Sequence, residues 1–164
     1  MIKKSLMALG LLIASLQVFA TTAVNDINLN WLNKNYFELK QDIKSSNSKT
    51  TVPIANTLGL IWLKRDGATS GEVSPLIASL LIKQPNIMLS ILSEYPEEYQ
   101  KWLEELQSAL LTDFSGGEEE ALEETRLELI QSMEQISHNE MHSLKPFADQ
   151  LANKLKLLSI RVID

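Results

Sequence analysis

The stretch LIASLLIKQPNIMLSIL, residues 76–92, carries one charge, Lys83, in its whole length. A helix that is apolar on every side has to be buried on every side. Pro85 interrupts the run, because proline lacks the N–H a helix interior needs and its ring meets the carbonyl four residues back. The stretch therefore reads as two short helices, 75–83 and 85–94, at the centre of the molecule.

Working outward, the other prolines fall into a pattern. Pro53, Pro75, Pro85, Pro96 and Pro146 each precede an apolar run with helical spacing, and so each reads as a helix start. Ser74 is the expected N-cap for the helix opening at Pro75. The first helix, 27–44, puts Ile27, Trp31, Leu32, Tyr36, Leu39 and Ile43 on one face. A polar linker, Ser45 to Thr50, follows it. The second helix, 53–65, aligns Ile54, Leu58, Ile61 and Trp62, and Gly67 and Gly71 mark a loop. Pro96 opens an amphipathic helix to Leu111, with Tyr99, Trp102, Leu103, Leu106 and Leu110 inward. After Gly116-Gly117 the longest helix, 118–143, carries Leu122, Leu129, Met133, Ile136 and Met141 on its inner stripe. Its first turn holds Glu118, Glu119 and Glu120, which suits the positive end of the helix dipole. A last helix runs from Pro146 to Leu158. No run of four or more residues alternates apolar with polar. The expected fold is all-α, an irregular bundle of about seven helices with no sheet. Matched segments after Pro75 and Pro85, with Ile77 answering Ile87 and Leu81 answering Ile91, suggest stacked hairpins of the HEAT-like kind.

The chain opens MIKKSLMALGLLIASLQVFA, with Lys3 and Lys4 ahead of an uncharged apolar stretch that closes on Val18-Phe19-Ala20. This is the pattern of a secretory signal peptide, 1–20, with cleavage expected after Ala20 and Ala23 as the second choice. Residues 21–164 then form a single domain, which in a chain of 164 residues is long enough to bury one core without covalent staples. The expected location is a bacterial periplasm or the extracellular space, with no stable membrane insertion after cleavage. The chain has no cysteine, so thiol catalysis, cysteine-ligated metals and covalent haem are excluded.

Charge is the most informative functional feature. Losing Lys3 and Lys4 takes the formal charge from −6 to −8, and residues 94–134 hold thirteen acids against only Lys101 and Arg126. Such a surface repels nucleic acid and attracts a basic protein partner. Glu119, Glu120, Glu123 and Glu124 are its expected contact residues, although charge runs on helices commonly do no more than keep a face solvated.

Other chemistry has less behind it. His138 and His142 are spaced i, i+4 and could share a divalent cation, but a third ligand is missing and both suit a solvated helix C-terminus. Glu94 beside Tyr95, Tyr99 and Trp102 is the carboxylate nearest to aromatics, whose desolvation would raise its pKa for acid catalysis. No nucleophile elbow, phosphate loop, dinucleotide fingerprint or calcium loop occurs. No cofactor is implied. The expected function is protein binding without catalysis, as an inhibitor, an immunity protein or an assembly chaperone. The alternatives are a carrier that holds an apolar ligand among helices 75–94, where Met88 could adapt to it, and a carboxylate- or metal-dependent hydrolase.

Overall fold

The computed structural model describes residues 26–45, 48–138 and 143–163. The signal segment 1–20, both cleavage sites, Met141 and His142 lie outside these residues. Seven helices are present among the described residues: α1 (26–45), α2 (Ser48–Leu63), α3 (Gly67–Lys83), α4 (Pro85–Ser93), α5 (Pro96–Leu110), α6 (Glu119–Ser137) and α7 (Lys145–Leu157).

The apolar run forms the centre. α3 packs against α2, α4, α5 and α6, and α6 in turn packs most extensively on α7. Val73, Leu76, Ile77, Ala78, Leu80 and Leu81 of α3 are buried together with Met88, Leu89 and Leu92 of α4 in one continuous cluster. Two polar bonds pin other helices to α3, and a third joins two of the surrounding helices. Trp102 Nε1 of α5 donates to Ser74 Oγ at 2.9 Å. Ser132 Oγ of α6 donates to the Leu81 carbonyl at 2.7 Å. Tyr99 Oη donates to the Phe147 carbonyl at 2.8 Å, tying α5 to α7.

Pro85, Pro96 and Pro146 stand in the first turn of their helices, where the missing N–H costs nothing. Pro53 and Pro75 do not, since they lie inside α2 and α3. The actual start of α3 is Asp66, whose carboxylate accepts from the Thr69 N–H at 2.9 Å. This cap draws Gly67 and Gly71 into the helix, where a loop was expected. Pro75 is tolerated because the carbonyl it leaves without a donor belongs to Gly71, an exposed residue open to water. Ser74 caps nothing, and its hydroxyl serves Trp102. The two ten-residue segments are therefore not equivalent units: one is the second half of a long helix and the other is a whole short helix.

Two further expectations change. Ile27 and Trp31 do not face inward on α1; Ile27 is 66% exposed and Trp31 38%, while Leu32, Leu39 and Ile43 are buried. The fold also contains a minimal sheet. β1 (Thr112–Asp113) and β2 (Arg161–Val162) pair in parallel, Thr112 opposite Arg161 and Asp113 opposite Val162. A two-residue pairing leaves no alternation to read in a sequence; it forms because the ends of α5 and α7 bring the two segments together.

Candidate protein-binding surface

The loop after α5 sets the geometry of the acidic residues. Asp113 is buried, and its carboxylate accepts from the N–H groups of Ser115 (3.0 Å), Gly116 (2.7 Å) and Glu118 (2.7 Å). Gly116 and Gly117 have φ of 75° and 94°, a region L side chains rarely adopt, so the chain can wrap around that carboxylate. The Glu118 N–H bond, followed by those of Ser115 and Gly116, holds the Asp113 carboxyl below the usual carboxylate range. The loop delivers the chain into α6 with Glu118, Glu119 and Glu120 exposed at its start.

Between this loop, the first turns of α6 and β2 lies a depression of about 470 Å³, lined by Asp113, Gly117, Glu119, Glu120, Glu123 and Val162. Three of the four expected contact residues meet there. Glu119 and Glu120 form no ion pair among the described residues. Glu123 is already engaged by Arg126, Nε to Oε2 at 2.7 Å and Nη2 to Oε1 at 2.5 Å. Those bonds hold the Glu123 carboxyl below its ordinary range, and Arg126 is anchored in turn on the Leu155 carbonyl at 2.9 Å.

Glu124 belongs elsewhere. With Glu128 it lines a separate groove of about 400 Å³ opposite Lys40 and Lys44 of α1 and Lys83 of α3. The acidic run 94–134 is thus not one face. Glu98 and Glu105 of α5 turn to Arg65, at 3.7 and 3.1 Å, and the Arg65 side chain is only 4% exposed. Glu134 pairs with Lys156 at 2.7 Å. The acids left free beside the depression are those at the start of α6.

The other expected sites come out as follows. Glu94 is exposed at the C-terminal end of α4, while Tyr99 and Trp102 are fully buried, so the aromatic enclosure that would tune its carboxyl is not formed. His138 is exposed at the end of α6 with its Nδ1 against the Glu134 carbonyl, and its partner His142 lies outside the described residues. Among the described residues no three His, Asp or Glu side chains are placed to share a metal ion, and no helix is long and apolar enough to cross a membrane. The apolar side chains of α3 and α4 pack on one another and their neighbours as core. A shallow apolar groove of about 390 Å³ lies instead at the surface between α1 and α2, lined by Ile27, Trp31, Leu60 and Ile61.

Sequence reasoning missed Asp113 and Val162. An Asp followed by Ser and paired glycines is a turn signature whose side chain bonds to the backbone just ahead, so Asp113 could have been found; Val162 had no local signal. Neither a known protein family, a curated protein nor a solved structure matches this chain.

Proposed function

We propose that this chain is an exported helical protein that works by binding a basic protein partner, as an inhibitor, immunity protein or assembly chaperone, with no reaction of its own. The observation that carries this reading is the pair Glu119 and Glu120, exposed and unpaired on the rim of a depression that also holds Glu123. Unpaired carboxylates of one sign around a concavity concentrate the local field and speed the approach of a cation-bearing partner. On α5, Glu98 and Glu105 are held by Arg65 within the fold, so they contribute little to that field.

The test is a pull-down from envelope extract at low and moderate salt, with the native chain and with Glu119→Lys/Glu120→Lys. The reading expects a basic protein retained at low salt, released at moderate salt and lost with the charge-reversed variant. Retention indifferent to both salt and charge reversal contradicts it.

A further inference from the structure

The depression has a second property besides its charge: Val162, which lines it, belongs to a strand with one open edge. Arg161 N–H donates to the Leu111 carbonyl at 2.9 Å and Ile163 N–H to the Asp113 carbonyl at 3.1 Å. In a parallel ladder successive residues turn their peptide groups to opposite edges, so the N–H and C=O of Val162 point away from β1. Arg161, Val162 and Ile163 are all exposed, and no hydrogen bond engages Val162 among the described residues. An unpaired edge of this kind is a template for another strand. β2 and the residue after it also expose apolar side chains, Val162 by 45% and Ile163 by 38%.

We propose that the segment recognised at this surface is an extended strand bearing lysine or arginine, which pairs with the free edge of β2 at Val162 and lays its cations against Glu119 and Glu120. This rests on the protein-binding reading above and specifies the partner's conformation. Side chains alternate across a strand, so those on the Val162 face recur at every second residue, about 7 Å apart. The recognised pattern is therefore basic–x–basic. The intervening residues share the face of Arg161, where a further cation is repelled.

The probe is an acetylated and amidated octapeptide alternating lysine and valine, fluorescently labelled and titrated against the chain as exported, with anisotropy as the readout. A copy with every peptide nitrogen methylated keeps the charges and removes the donors. Val162→Pro removes the donor on the protein side, at an edge position where proline is tolerated. The proposal expects binding of the first peptide, weakened about tenfold or more by methylation and by Val162→Pro, as loss of edge hydrogen bonds implies. Equal binding of the methylated peptide overturns it; if Glu119→Lys/Glu120→Lys still abolishes that binding, electrostatic docking survives without strand addition. Binding indifferent to charge reversal as well removes both. Failure of the unmethylated peptide to bind also overturns the strand proposal. Should Val162→Pro disturb the fold by circular dichroism, the comparison of the two peptides on the native chain decides alone.

Discussion

The hydroxyl of Ser132 donates to the carbonyl of Leu81, 51 residues earlier in the chain, at 2.7 Å. That carbonyl would ordinarily accept from the residue four positions on, and that residue is Pro85, which has no N–H to give. The break that divides the apolar run thus creates a buried orphan acceptor, and α6 supplies its donor. The same bond fixes α6, and with it the acidic depression, onto the central helix.

Ser132→Ala leaves the Leu81 carbonyl buried and unsatisfied, which costs about 1–3 kcal/mol. Ser132→Thr, which keeps a hydroxyl, restores part of that loss. Urea denaturation of the three proteins measures it, and equal midpoints for Ser132→Ala and the native chain would show that the bond contributes nothing.

Gly59 sits where α2 meets α4, and a Cβ there would lie 2.6 Å from Ile91 Cγ2. That methyl is on the branched carbon, close to the α4 backbone, so it yields only if the helices separate or Ile91 leaves its rotamer. Gly59→Ala therefore destabilises by about 1–3 kcal/mol, the usual cost of overpacking, despite alanine's better helix propensity. Ile91→Ala placed behind it relieves the clash, so the double variant is more stable than the sum of the single effects predicts. Thermal unfolding of the four proteins tests this coupling.

The Asp113 carboxyl has its folded pKa depressed, chiefly by the N–H of Glu118 and then by those of Ser115 and Gly116. The sign follows from linkage: its ionised form is favoured by folding, so its contribution is fully present above the unfolded value of about 3.9 and is lost as pH falls through the lower folded value. Asp113→Asn, whose amide nitrogen cannot accept the Glu118 N–H, lowers the urea midpoint at neutral pH. The gap to the native chain narrows below about pH 4. A gap that is constant down to pH 2 would contradict the assignment.

Acids on α5 and α6 separate by role. Glu98→Gln/Glu105→Gln removes both carboxylates from Arg65, a nearly buried guanidinium that also lies 5.0 Å from the Trp62 ring centroid. Solvent screens the partly exposed carboxylates, so the loss is about 1 kcal/mol and not the larger cost of breaking a fully buried pair. Partner retention is unchanged. Glu119→Lys/Glu120→Lys also costs about 1 kcal/mol, because cations in the first turn of α6 oppose the helix dipole, but unlike the α5 pair it loses retention. The pull-down, with calorimetry beside it, distinguishes the two.

Much of the fold was legible because helix periodicity and first-turn prolines are local signals. Pro85, Pro96 and Pro146 mark real helix starts, and the charge-poor run around Pro85 identifies the core. Pro53 and Pro75 misled because proline's cost depends on whether water reaches the carbonyl four residues back, which sequence does not record. Asp66 was the better cap, outweighing two glycines that looked like a loop. Ile27 and Trp31 share a helical face with Leu32 by spacing, but they border an open groove beside Leu60 and Ile61 instead of the closed core. The acidic residues were legible as a run and not as a surface, because Arg65 and Lys156 select which carboxylates stay free through contacts distant in sequence. The β2 edge had no signature at all.

The most direct measurement is site-specific photo-crosslinking in the living host, with a benzophenone amino acid at the exposed Ala121, beside Glu119 and Glu120, and, in a separate strain, at the exposed Glu104 of α5 as a control. A binding surface at the start of α6 predicts one discrete adduct to a basic envelope protein from position 121 and none from position 104. No adduct from position 121, or the same adducts from both positions, would contradict it.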